Sequence, residues 1–162
     1  MKEEDTKKEL IKLINVCSLE VKKWEELNKE ELYEILRLRS EIFIVEQECP
    51  YQDIDNKDIF SQHYFGKINN EIVCYTRVFL NENPNVIGRL VVKKQFRNKG
   101  IGREIMRRSI NIISKEKVIF ISAQSYLKGF YESLGFIKKG RKYLEDGIIH
   151  IPMYLNSRIS KK

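Results

Sequence analysis

Apolar positions along the chain change their period several times, and each change marks a predicted element. Residues 16–24 alternate between polar and apolar side chains, which predicts a first strand. A polar leader precedes it, with a short helical hint at Leu10, Ile11 and Ile14. NKEELYEILRLRSEIFIVEQ then carries Leu32, Ile35, Leu36, Ile42 and Phe43 on one helical face, behind a capping-box signature of Asn28 with Glu31. This predicts a helix with a break near Ser40. Periodicity stops across ECPYQDIDNKD, as in a loop. Two β-rich runs, HYFGKI and EIVCYTRVFL, flank Asn69 and Asn70, residues that tolerate positive φ, and so predict a hairpin.

After a turn at NENPN, VIGRLVV predicts a strand and GIGREIMRRSINIISK a helix whose stripe is Ile101, Ile105, Met106, Ile112 and Ile113. KVIFISA is almost continuously apolar, which predicts a strand covered on both faces in the middle of the sheet. YLKGFYESLG predicts a short helix ending at Gly135, and FIKKGRKYL with IIHIPMYL around EDG a closing hairpin. The order of strand, helix, three strands, helix, strand, helix and two strands is α/β, a central mixed sheet flanked by helices. No internal repeat interrupts it.

A length of 162 residues suits one domain, here residues 15–155, between a leader (1–14) and a tail (156–162). The chain is 42% hydrophobic in short runs, which excludes disorder, and no run approaches the ~20 apolar residues of a membrane span. Cys17, Cys49 and Cys74 stand in no metal spacing and predict free thiols in the cytoplasm. A net charge of +7 raises nucleic acid as a partner. The lysines lie in every segment and are not interleaved with aromatic platforms, so no nucleic-acid or membrane partner is expected.

RNKGIG, between VIGRLVV and the second helix, is the motif with chemical content. It lacks the Lys-Ser/Thr ending of a P-loop, and Ile105 stands where a dinucleotide fingerprint needs a third small residue. Arg97-x-x-Gly100-x-Gly102 instead leaves side-chain-free positions where consecutive N–H groups can turn onto an anion at a helix start, a fit for pyrophosphate. DIDNKD fails as a calcium loop, since Asp58 stands where glycine is needed. Cys49 and His63 lack a third group to orient them as a nucleophilic pair.

With those flanks the chain resembles the GNAT superfamily of acyl-CoA-dependent N-acyltransferases, whose signature is R/Q-x-x-G-x-G/A after a strand. SAQSYLKGFYESLGF looks like the second landmark of that superfamily. LRLRSEIFIVEQECPYQDIDNKD, VIGRLVV and EDGIIHIPM look like segments of its ElaA-like branch. The resemblance implies a GNAT fold and an acetyltransferase using acetyl-CoA by direct transfer to a small-molecule or peptide amine, as a monomer or homodimer without a metal. It further implies that Leu90, Val91 and Val92 offer main-chain groups to the pantetheine arm, and that Arg97, Asn98, Lys99, Gly100, Ile101, Gly102 and Arg103 hold the pyrophosphate. Gln124 stands where many members have Asn beside the cofactor.

Tyr131 is the general-acid candidate, since a phenol is protonated at neutral pH and can donate to sulfur. Among the carboxylates that follow the first helix, Glu48 is carried as the base candidate. Glu46, Asp53 and Asp55 are carried as acceptor-binding candidates. Glu46 has a structural alternative in an ion pair with Arg39. His63 and His150 read as hydrogen-bonded structural residues, with His150 kept as an acceptor-site candidate because the closing hairpin borders the acceptor pocket in the superfamily. Two alternatives stand beside this reading, a non-catalytic acyl-CoA-binding module and an acyltransferase like the acyl-homoserine lactone synthases.

Overall fold

The computed structural model describes residue 8 and residues 16–113 and 117–156. Leu10, Ile11 and Ile14, the predicted helix beyond residue 113 and the closing SRISKK lie outside the described residues.

Strands β1 (Ser18–Lys23), β2 (Gln62–Ile68), β3 (Glu71–Phe79) and β4 (Asn85–Val92) pair in antiparallel succession, and β4 meets β5 (Val118–Gln124) in parallel. Strand β8 (Ile148–Asn156) runs antiparallel to β5 and also receives two short strands, β6 (Ile137–Lys138) and β7 (Tyr143–Glu145). The result is one mixed sheet in the order β1-β2-β3-β4-β5-β8-β6, with β7 on β8. Its two tight hairpins follow from their turn residues. Asn69 and Asn70 (φ 50° and 65°) and Asp146 and Gly147 (φ 48° and 79°) are left-handed at both central positions, which matches the right-handed twist of the flanking strands. FIKKGRKYL is not one strand as expected, because Gly140 at φ 107° breaks it into β6 and β7.

Helix α1 (Lys29–Arg39) opens on the expected capping box: the Glu31 N–H donates to Asn28 Oδ1 at 2.8 Å, and the Asn28 N–H donates back to Glu31 at 3.2 Å. The predicted break falls at Ser40, where the α-helix passes into a π-helical turn, Ser40–Glu46. Helices α2 (Ile101–Ile112) and α3 (Lys128–Glu132) follow later in the chain. None among the described residues is long and apolar enough to cross a membrane.

The two sheet faces are covered unequally. Ile101, Ile105 and Met106 of α2 and Tyr131 of α3 pack with Val73, Val78, Ile87, Ile119, Ile121, Ile151 and Met153 in one core. On the opposite face, Ile35, Leu38 and Ile42 cover only Phe65, Ile72, Tyr75 and Val91, from strands β2 to β4. Among the described residues, no helix covers the β5–β8 half of that face. Strand β5 is therefore internal in the sheet but not covered on both faces: Ile119, Ile121 and Ala123 are buried, while Ser122 between them is exposed.

Beneath α1 lies a buried ionic network that the sequence pattern does not announce. Arg39, fully buried, donates to Asp53 Oδ2 at 2.9 Å and Asp58 Oδ1 at 2.8 Å, and lies over the Tyr75 ring. Arg77 joins Asp58 Oδ1 at 2.8 Å and Asp55 at 2.5 and 2.8 Å. Arg89 closes the set on Asp53 Oδ1 at 2.7 Å. His63 caps it, with Nε2 3.0 Å from the Asp58 carbonyl and Nδ1 2.9 Å from the Tyr75 hydroxyl; burial pushes its pKa down. His63 is thus structural, as expected, and Cys49 bonds elsewhere, to the Asp146 carbonyl at 2.8 Å.

Replacing Arg39 with Leu leaves Asp53 and Asp58 buried beside fewer cations, and should cost about 3–5 kcal/mol in denaturant unfolding. A loss below about 1 kcal/mol would mean the network tolerates an absent cation. Glu31 supplies a pH signature. Burial favours its neutral form, but hydrogen bonds from Lys22, Lys67 and the Asn28 backbone outweigh that and hold its pKa down to about 2. A carboxyl depressed in the folded state stabilises above its unfolded value, about 4.3, and that stabilisation disappears as pH falls. Glu31→Gln should therefore flatten the loss of stability between about pH 4.3 and 2, measured by urea midpoints across that window.

Candidate active site

A cleft of about 820 Å³ crosses the open half of the sheet and runs between β4 and β5 to the start of α2. It exists because the two parallel strands part. They pair only at Asn85 with Ile119 and Val86 with Phe120, and then both continue without a partner on that side. Just past the parting β4 has a bulge, where Arg89 and Leu90 together face the single residue Thr76 of β3. Arg89 is left-handed at φ 56°. A bulge of this kind bends its strand and re-aims the residues beyond it. The β4 edge from Ile87 to Val92 is thereby exposed to the cleft, including Leu90, Val91 and Val92. Val91 itself packs toward α1, and the Val92 carbonyl accepts from Arg97 Nε at 2.8 Å.

The glycine motif lies at the other end of the cleft. Gly100, at φ 81°, caps α2 in a conformation that a Cβ disfavours, and Asn98 shares it at φ 59°. The N–H groups of Asn98, Lys99, Gly100, Ile101, Gly102 and Arg103 donate to no other described residue; the first paired amide is Glu104, to the Gly100 carbonyl at 3.0 Å. Such a row at a helix start, with the positive end of the helix dipole behind it, suits phosphate oxygens. Gly102 has a packing reason as well. A Cβ there would sit 3.3 Å from Val92 Cγ2, where β4 meets the start of α2.

Several expected cofactor side chains are already engaged. Arg97 does not extend free toward the cleft: its guanidinium takes Glu46 in a bidentate pair at 2.6 and 2.9 Å. That pair replaces the Glu46–Arg39 pair considered from the sequence, because Arg39 is buried in the network below, and the Arg97 bonds lower the Glu46 pKa. Arg103 donates to the Ser133 hydroxyl at 2.7 Å, and Lys99 lies over the Phe96 ring. Ile101 is core. Gln124 exchanges amide bonds with Gln47 at 3.0 and 3.3 Å and accepts from the Tyr126 hydroxyl at 2.5 Å, a latch between the π-helical turn and β5. Tyr131 lines the cleft, edge-on to Phe130 and Phe136. Its hydroxyl bonds to no other described residue, and burial pushes its pKa up, so it keeps its proton at neutral pH.

The acidic candidates divide. Glu48, at φ 50°, is exposed and does not line the cleft. Asp53 lies in the buried network with both oxygens bonded. Asp55 lines the cleft but is bound by Arg77; burial works against its charged form, and those bonds overcome it and hold the carboxyl below its usual range. Both serve to anchor arginines. His150 lines the cleft, and Glu145, Ser122, Arg77, Arg89 and Gly88, which sequence reasoning missed, line it too. Parity along the final strand was the available signal: Ile151, Met153 and Leu155 are core, which sends His150 to the opposite face. Gly88 stands mid-strand where a Cβ would meet nothing within 4 Å, and it leaves the floor open.

This geometry has counterparts. Residues 25–157 match the family model described as an acetyltransferase (GNAT) domain. Protein ElaA of Escherichia coli K12 is 39% identical over 136 residues, covering 79% of this chain and 89% of that protein. The crystal structure of Escherichia coli ElaA superposes with a TM-score of 0.81 at 35% identity, over 86% of this chain and 99% of that one. An acyl-CoA N-acyltransferase from Pseudomonas aeruginosa does so with a TM-score of 0.80 at 33% identity, over 85% and 99%. The parted strands, the row of free amides and the matched length agree, and the chain belongs to the GNAT acetyltransferase family, acyltransferases with an acyl-CoA cosubstrate.

Proposed function

We propose that this protein is an N-acetyltransferase that moves the acetyl group of acetyl-CoA to an amine by direct transfer within a ternary complex. The observation that carries this reading is the row of unpaired N–H groups from Asn98 to Arg103, opening onto a cleft whose wall is the unpaired edge of β4. The amides suit the pyrophosphate, and the β4 edge at Leu90, Val91 and Val92 suits the amide-bearing pantetheine arm. The acceptor, a small-molecule or peptide amine, then reaches the thioester from the open sheet face over Gly88, Phe120 and Ser122. The buried thiols Cys17, Cys49 and Cys74 fit a reducing compartment such as the cytoplasm.

In the transfer, the amine nitrogen bonds to the carbonyl carbon and the C–S bond breaks. Holding both reactants in one cleft supplies the orientation that such a step needs. Tyr131 gives its proton to the departing thiolate, a role supported by its place in the cleft, its free hydroxyl and a burial that keeps it protonated. Asp53 and Asp55 drop out as partners of the amine, since their oxygens hold Arg39, Arg77 and Arg89.

A panel of amines incubated with acetyl-CoA, followed by free-thiol release, tests the activity. Release with at least one amine supports it; tight acetyl-CoA binding with no release from any amine identifies a non-catalytic binding module instead. Tyr131→Phe should lower kcat by about 100-fold while the acetyl-CoA Kd changes by less than about twofold. If kcat and affinity fall together, Tyr131 packs or binds and does not donate.

A further inference from the structure

The carboxylates singled out from the sequence leave the proton of the acceptor amine without a taker. Glu48 does not line the cleft, Glu46 is held by Arg97, and Asp55 is held by Arg77. Glu82 lines the cleft in the β3–β4 turn, beside Val86, and about 13 Å of strand separates Val86 from Leu90. Asp146 sits in the exposed β7–β8 turn.

We infer that His150 is the general base of the transfer and that Glu145 positions it, an inference that rests on the transferase reading above. His150 lies opposite Gln124, at the end of β5 that leads into the helix carrying Tyr131. It is on the cleft face, since its neighbour Ile151 is fully buried in the core on the other side. Its Nδ1 is 2.9 Å from the Ile148 carbonyl oxygen. A carbonyl only accepts, so Nδ1 carries the hydrogen and Nε2 keeps the lone pair. The Tyr143 ring stacks on the imidazole at 6.1 Å and 25°, which limits its rotation. Glu145 Oε2 stands 3.8 Å from Nδ1 and is itself held by the Ser122 hydroxyl at 2.8 Å. A carboxylate in that place stabilises the imidazolium that forms when Nε2 takes a proton.

Besides Glu145, the ionisable group against the imidazole is Tyr143 on β7, while Asp146 in the turn, Glu46 and Cys49 from the segment after α1, and Tyr126 after β5 line the same cleft. Glu46 is neutralised by Arg97, and the Cys49 thiol is bonded to the Asp146 carbonyl. In the balanced step, the amine nitrogen gains the acetyl carbon and passes its proton to Nε2, while sulfur loses that carbon and receives the Tyr131 proton. Water then takes the proton from His150 and returns one to Tyr131.

The chain has two histidines, so nitrogen-15 NMR of histidine-labelled full-length protein, with His150→Gln for assignment, reads the tautomer directly. Expected is His150 protonated on Nδ1. In steady-state kinetics with acetyl-CoA and a reactive amine, His150→Gln should lower kcat about 100-fold or more. Its acetyl-CoA affinity should stay unchanged. Glu145→Gln should lower kcat while leaving the KM for acetyl-CoA unchanged, since the imidazolium loses its partner. A wild-type His150 protonated on Nε2, or a His150→Gln variant within about threefold of wild-type kcat, overturns the inference alone. Absence of thiol release from the wild type with every amine overturns the transferase reading and this one with it.

Discussion

One left-handed residue in the middle of a strand, Arg89, governs where this molecule opens. A non-glycine residue in that conformation costs about 1–2 kcal/mol, and it persists where the surroundings impose it. Here the surroundings are specific. The Arg89 guanidinium donates to Asp53 at 2.7 Å and lies over the rings of Phe43 and Tyr51, while the extra residue it inserts into β4 faces Thr76. Asp53 is fixed in turn by Arg39 from the end of α1. The bulge thus links the first helix, the loop that follows it and the middle of the sheet. The pairing of β4 with β5 ends just before it, at Val86, and does not resume beyond it.

The cleft gains its chemistry from that parting. An unpaired strand edge faces it along β4, the amides at the start of α2 close one end, and the uncovered faces of β5 and β8 form a floor open to a second substrate. Two polar links cross it, Glu46 to Arg97 and Gln47 to Gln124, and both spring from the π-helical turn after α1. That turn is where functional irregularities in helices concentrate. Because Arg97 is paired with Glu46, the main-chain amides, the helix dipole and the charge of Arg103 are left to attract an anion at that end.

Local signals carried much of the fold in the letters. Asn28 with Glu31 marked the helix start, Asn69–Asn70 and Asp146–Gly147 marked the tight turns, and the Ile101, Ile105, Met106 stripe marked the packed face of α2. What stayed hidden depends on distant partners. KVIFISA reads as covered on both faces because Phe120 is apolar, yet Phe120 belongs to the cleft, and only the reach of α1 across the other strands decides that. Asp53, Asp55 and Asp58 look like solvated loop charges until Arg39, Arg77 and Arg89, from three different elements, close around them. Of the candidate site, the glycine motif was legible because an unpaired helix start is a local property. The side-chain roles of Arg97, Glu46 and Gln124 were not, since each was settled by a partner more than forty residues away.

Amide hydrogen exchange measured with and without acetyl-CoA tests the central claim most directly, namely that the bare amides at the start of α2 and the free edge of β4 receive the coenzyme. Slowed exchange at residues 98–103 and at Leu90 to Val92, with residues 62–68 of β2 unchanged, is the predicted result. Protection confined to other segments, with residues 98–103 exchanging as fast as in the free protein, would contradict it.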